Sequence, residues 1–298
     1  MDVDRAVTLL GGAATRAELV RAGVPRRSTE AAVRAGRLLA AAGGAVWRPD
    51  ADPALVLAVR SRSWLTCVSA LDRWGVPLLD PPARPHLASS RARTERSACW
   101  HRLRTPVPTD RGPDPRARAV DPIAAVVQAL RCLGRRDALV AADSALRSGL
   151  VTARQLDRAV PAHDPQGARW VVEHADERSD SVLESALRFL LLDAGITAFE
   201  LQAPLPGVGR VDLLVDGWLV LEADGFAFHS GRADFLLDRQ RLAVATATGH
   251  VTLRFGYAEV VHHPHRVLRC IEETRRRFRA GDFRTALSRA PAIGAGQR

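Results

Sequence analysis

Apolar side chains recur at helical spacing from the start of the chain, where Val3, Val7 and Leu10 form a stripe that Gly11-Gly12 ends. Thr15 followed three residues later by Glu18, ahead of Leu19-Val20, is the signature of a capped second helix. Gly23 stops it and Val24-Pro25 turns the chain. Ser28 is then expected to cap a third helix from Thr29 to about Gly36. Leu38 to Trp47, interrupted by Gly43-Gly44, reads as strand, turn, strand. Three short helices and a β-ribbon make residues 1–49 a helix-turn-helix with a wing. Residues 50–174 predict helices from Leu55, over Trp64–Trp74, and over Pro122–Leu133, Arg136–Ser148 and Thr152–Val160. Short strands are expected at His86–Ser89 and Ala98–Leu103. From residue 175 the pattern changes to helix (Ser181–Ala194), three strands (Phe199–Ala203, Arg210–Val215, Leu219–Asp224), helix (Arg232–Ala247), strand (Val251–Phe255) and helix (Pro264–Arg279). The fold class is therefore α/β: a winged helix, a small mixed α+β middle domain over 50–174, an α/β layer over 175–279 and a loose tail over 280–298.

Composition narrows the chemistry. All 43 Lys-plus-Arg positions are arginine; lysine and asparagine do not occur. This excludes Schiff-base lysine enzymes, lysine-bearing phosphate loops and nucleases that use a catalytic lysine in standard form. The net charge of +10 sits forward, with +3 in residues 1–50, +8 in 51–170 and −1 in 171–298, which fits a nucleic-acid partner. No apolar run approaches a membrane span and no leader precedes Asp2, so the expected location is cytoplasmic. Cys67, Cys99, Cys132 and Cys270 lie far apart and form no C-x-x-C, which predicts reduced thiols with neither a zinc ribbon nor a disulfide framework.

The informative stretch runs from Arg210 to His229, where Asp212, Glu222 and Asp224 sit on or at the ends of apolar strands. Charge beside a core is costly unless a cation compensates it. Paired carboxylates holding Mg²⁺ cleave phosphodiesters. Asp216-Gly217 marks a hairpin. A two-residue loop would set Asp212 opposite Leu221 and turn Glu222 to the other face, because side chains alternate with period two. A shared ion requires Asp212 opposite Glu222, hence a three-residue loop over Asp216-Gly217-Trp218 or a bulge. Upstream, Ser181 and Glu184 satisfy a capping box, and Glu184 with Arg188 an i,i+4 pair.

Ser181-Val-Leu-Glu184-Ser-Ala-Leu-Arg188, Gln202, Val211-Asp212, Leu221-Glu222-x-Asp224-Gly, His229-Ser, Asp238-Arg239-x-Arg241 and Leu253-Arg254-Phe255 occur in this order. Together they resemble the very-short-patch-repair-like nucleases of the PD-(D/E)XK superfamily. The likeness covers residues 180–272 and implies a restriction-endonuclease-like domain. Residues 1 to about 160 resemble AbiEi-type antitoxin-like proteins, through Gly23-Val-Pro-Arg-Arg, Gly36-Arg-Leu, Ser69-Ala-Leu, Gly75-Val-Pro and Ala142-Asp143-Ser-Ala-Leu-Arg147-Ser-Gly. The first resemblance implies that Asp212 and Glu222 bind Mg²⁺ or Mn²⁺, with Glu184 a third acid. Asp224 stands where that superfamily has lysine, and His229 is the nearest candidate for acid/base work. Arg239 or Arg241 is expected to stabilise developing phosphorane charge. Arg26, Arg27, Arg34 and Arg37 flank the third helix and are the candidate DNA contacts.

Two functions follow as expectations. One is a metal-dependent DNA endonuclease with an N-terminal DNA-binding module. The other is a non-cleaving, antitoxin-like transcriptional regulator. Both take DNA as partner. A homodimer and a cognate toxin stay open.

Overall fold

The computed structural model describes residues 1–93, 96–103, 118–224 and 232–279, with side chains left out over 232–238 and at 279. The chain divides into two compact units, Met1–Glu177 and a second that begins at Arg178. It is a mixed α/β protein.

The first unit opens with α1 (Val3–Leu9), β1 (Ala13–Thr15), α2 (Arg16–Arg21), α3 (Arg26–Arg34), β2 (Leu39–Ala40) and β3 (Ala45–Trp47). The strands form an antiparallel sheet in the order β1-β3-β2. Val3, Val7, Leu19, Ala32, Leu38 and Val46 pack into one core beneath it. The expected capping box is present: Glu18 N–H donates to Thr15 Oγ1 at 3.2 Å, and Thr15 N–H donates to the Glu18 carboxylate at 2.7 Å. The start of α3 differs from expectation. Pro25, with its fixed φ and no N–H to satisfy, takes the N-cap position, and Ser28 lies inside the helix.

The unit continues with α4 (Pro53–Arg60), β4 (Trp64–Leu65), α5 (Cys67–Arg73), β5 (His86–Ser89), β6 (Cys99–Arg102), α6 (Pro122–Cys132), α7 (Arg135–Arg147), α8 (Ala153–Ala159) and α9 (Ala168–His174). The helix expected over Trp64–Trp74 is shorter. Trp64 and Leu65 pair antiparallel with Ala88 and Leu87, and Cys67 takes a left-handed φ of 52° before the helix runs on. β5 and β6 run parallel, with His86 opposite Cys99 and Ala88 opposite His101. Asp143 is fully buried and accepts from Asp176 N–H at 2.8 Å.

Arg118 joins the two parts of this unit. Its guanidinium bonds the Ser63 carbonyl at 3.0 Å, lies 5.3 Å from the Trp64 ring centroid and pairs with Glu18 at 2.5 Å. Burial pushes the Glu18 carboxyl up, but Arg118 and the bonds from Thr15 outweigh it, leaving that carboxyl below its ordinary range.

The second unit contains α10 (Val182–Asp193), β7 (Phe199–Leu205), β8 (Gly209–Val215), β9 (Leu219–Asp224), α11 (Arg232–Ala247), β10 (Val251–Gly256), α12 (Tyr257–His262) and α13 (Pro264–Arg279). The sheet order is β10-β9-β8-β7; β7, β8 and β9 form an antiparallel meander, and β10 joins β9 in parallel after the α11 crossover. Val215 pairs with Leu219, so the β8–β9 loop has three residues, the register the shared-ion geometry needs. Asp216 and Gly217 both take positive φ in that loop. Asp216 receives a two-pronged pair from Arg275 of α13 at 2.8 and 3.2 Å, and Trp218 stacks on Phe278 at 3.7 Å. The last helix thus clamps the hairpin tip.

Candidate functional site

The strand registers bring four polar residues into one row across the second sheet. Leu201 and Ala203 pair with Leu213 and Val211, which sets Gln202 level with Asp212. Leu213 pairs with Leu221, and continuing that register sets Asp212 level with Glu222. Glu222 pairs directly with Arg254. Asp212 lies two positions before Leu214 and Glu222 two positions after its partner Val220, so both share that pair's side of the sheet. The β7–β8–β9 ladder is irregular at this row. Gln202 adopts a left-handed φ of 53°, and Ala223 N–H donates to the Asp212 carboxylate at 2.9 Å.

Glu184 approaches the row from the first turn of α10. Ser181 Oγ caps that helix by accepting from Glu184 N–H at 3.1 Å. The Glu184 carboxylate does not close the box on Ser181; it accepts from Asp180 N–H at 3.0 Å and from Gln202 Nε2 at 2.6 Å. It is 5% exposed, and its burial raises its carboxyl above the ordinary range, although bonds from Asp180, Ser181 and Gln202 pull the other way. Burial also lifts the Asp212 carboxyl to about 6; Ala223 N–H lowers it, Glu184 and Asp224 raise it and Arg241 lowers it. A buried and a half-buried carboxyl that both resist ionisation mark a place short of positive charge among the described residues.

Glu222 is placed differently. Its carboxylate stands 3.2 Å from Arg254 and 3.7 Å from Arg241. Arg241 is otherwise engaged with the β7–β8 turn, donating to the Val208 carbonyl at 2.8 Å and the Arg210 carbonyl at 2.7 Å. It braces the turn and stands beside Glu222. Arg239 is exposed on α11, and Asp224 ends β9 opposite Gly256. His229 lies outside the described residues. Arg26, Arg27 and Arg34 are exposed on α3, and Arg37, just beyond it, is ion-paired with Asp4.

The first unit holds a second cluster, one the sequence did not announce. Cys67, His86, His101 and Cys132 place their ligand atoms within 4.8 Å of one another. This overturns the expectation that the thiols stand apart, for Cys67 and Cys132. His86 Nδ1 lies 3.2 Å from His101 Nε2 and 3.8 Å from Cys132 Sγ, and the two rings stack at 5.4 Å. Bonds from Cys67, His101 and His86 hold the Cys132 thiol far below the ordinary thiol range; the bond to Cys132 and burial push Cys67 up. Cys99 is close enough to feel Cys132, and Cys270 is exposed on α13.

Among the described residues no helix is long and apolar enough to cross a membrane. No protein-family description matches the chain. It is 31% identical over 158 residues to the uncharacterized proteins Rv2248 and MT2308 of two Mycobacterium tuberculosis strains, an alignment covering 50% of this chain and 58% of theirs. The chain therefore spans little more than half the length of the curated relatives it matches. The crystal structure of the RV2827C protein from Mycobacterium tuberculosis covers 61% of this chain and 78% of its own, at 17% identity and a TM-score of 0.33.

Proposed function

We propose that the chain is a Mg²⁺- or Mn²⁺-dependent DNA endonuclease whose N-terminal winged helix (residues 1–49) docks on DNA and whose restriction-endonuclease-like C-terminal domain (175–279) hydrolyses phosphodiester bonds. The observation that carries this reading is the irregular row Gln202–Asp212–Glu222 beneath Glu184, with Asp212 lifted to about 6 by burial and by neighbouring acids. The donors are hard oxygens, as Mg²⁺ prefers, and the excess of buried carboxylate is what a dication relieves. Asp212 and Glu184 would hold the ion, with Glu222 once it leaves Arg254. The ion would supply an activated water and compensation for developing charge.

The rest is work for the chain's own groups. Ala223 N–H fixes the rotamer of Asp212, and Gln202 fixes that of Glu184, so neither acid must reorganise when charge arrives. Arg254 and Arg241 hold the Glu222 carboxylate until then. In the first unit the topology β1-β3-β2 after three short helices leaves α3 with an arginine-bearing outer face suited to phosphate and base edges.

The second reading is the non-cleaving, antitoxin-like regulator. The pairing of Glu222 with two arginines favours it, as does Asp224 in place of the superfamily's lysine. Plasmid and branched DNA incubated with Mg²⁺ or Mn²⁺ separates the two. The nuclease reading expects cleavage that falls by roughly 100-fold or more in Glu222→Ala. DNA binding without cleavage in either metal would establish the regulator.

A further inference from the structure

We infer that Cys67, His86, His101 and Cys132 form a structural zinc site in the first unit, separate from the carboxylate row. Zinc bonds of ~2.0–2.1 Å to nitrogen and ~2.3 Å to sulfur, at tetrahedral angles, set N···N at ~3.3 Å and N···S at ~3.5 Å. The His86–His101 separation of 3.2 Å and the Cys132–His86 separation of 3.8 Å fall at these edges. Two thiolates and two neutral imidazoles carry two negative charges, so one Zn²⁺ makes the site neutral. Cys67 is fully buried and the two histidines half-buried, and charge left there uncompensated would be costly. Soft sulfur with imidazole selects zinc over Mg²⁺ or Ca²⁺, and four protein ligands leave no open position for a substrate.

Each ligand comes from a different element: Cys67 opens α5, His86 opens β5, His101 lies in β6 and Cys132 closes α6. β6 is the edge of the sheet β4-β5-β6 and has β5 as its neighbour there. The ion would tie that edge strand to the ends of two helices, a cross-link between segments distant in sequence. Both cysteines bind as thiolates, and any thiol proton still held passes to solvent. His86 binds through Nδ1 and keeps its proton on Nε2, while His101 binds through Nε2 and keeps its proton on Nδ1.

The test uses the full chain, purified under reducing conditions without chelator. Elemental analysis should find about one zinc per chain. Replacement by Co²⁺ should give the visible absorption of tetrahedral thiolate-bound cobalt. Cys132→Ser, at an exposed position, should lose the zinc and lower the unfolding midpoint by roughly 5–10 °C. If that variant fails to fold, the wild-type chain still decides: thiol-modifying reagent should release the ion in step with two protected thiols. A reduced chain that is zinc-free and takes up neither Zn²⁺ nor Co²⁺ overturns the inference. So does a Cys67–Cys132 disulfide in the native chain, read as a mass lower by two hydrogens.

Discussion

The two clusters of ionisable groups differ in what surrounds them. The Cys/His cluster of the first unit gathers soft ligands at tetrahedral-edge spacing, and the one Zn²⁺ inferred for it would balance their charge. The carboxylate row of the second unit gathers hard ligands that already divide between two solutions. Glu222 is neutralised by Arg254 and Arg241, whereas Asp212 and Glu184 resist ionisation in place. Under the two proposals above, one ion completes the electrostatics of the structural site, whereas the row leaves a deficit for metal and substrate to fill, and that deficit costs stability.

The sharpest way to break this contrast is Asp212→Asn. The folded carboxyl, at about 6, lies above its ordinary value of 3.8, so its favourable contribution is complete below about pH 4 and is lost as pH rises through about 6. The amide oxygen can still accept from Ala223 N–H. Asparagine should therefore abolish cleavage while stabilising the second unit on the order of 1–2 kcal/mol at pH 7, and should flatten its stability between pH 4 and 7. In the wild type, Mg²⁺ should raise the melting temperature at pH 7 more than at pH 5. Chemical unfolding at both pH values checks these signs; destabilisation by Asn at pH 7 would remove the charge deficit from the account.

An effect of similar size and opposite sign comes in the first unit from Arg118→Ala. It strips the cation from half-buried Glu18 and from the Trp64 face, and should cost roughly 1–3 kcal/mol. Zinc content should stay at about one per chain, because none of the four ligands touches Arg118. Loss of both together would mean the cluster and the α2 seam form one device. The smallest effect is expected from Arg34→Ala, exposed on α3. It should weaken DNA binding and lower the salt slope by about one unit, measured by titration at several ionic strengths. An unchanged slope would take that helix off the DNA.

What could be read from sequence follows from how far apart the determining residues lie. The Thr15–Glu18 box and the Asp216-Gly217-Trp218 hairpin are local, and period-two alternation carries register from the hairpin out to Asp212 and Glu222. The α3 start was misplaced because Pro25 and Ser28 both carry start signals, and proline prevailed. Trp64-Leu65 reads as helix until β5 arrives to pair with it. α9 and α12 are short helices of seven and six residues with no strong local signal. The Cys/His cluster was invisible for a firmer reason: its ligands lie at the ends of elements that only tertiary packing brings together, so no spacing rule reaches them. Glu184 was legible as a helix cap, but its bond to Gln202 needed the kink that a left-handed residue puts in β7.

The grip of Arg118 on Ser63, Trp64 and Glu18 bears on how the first unit would present DNA under the function proposed above. A head on a slack tether samples many orientations. A head bolted through a half-buried guanidinium to the layer behind it holds one bearing, so under that proposal a duplex would leave at a fixed angle to the Met1–Glu177 body.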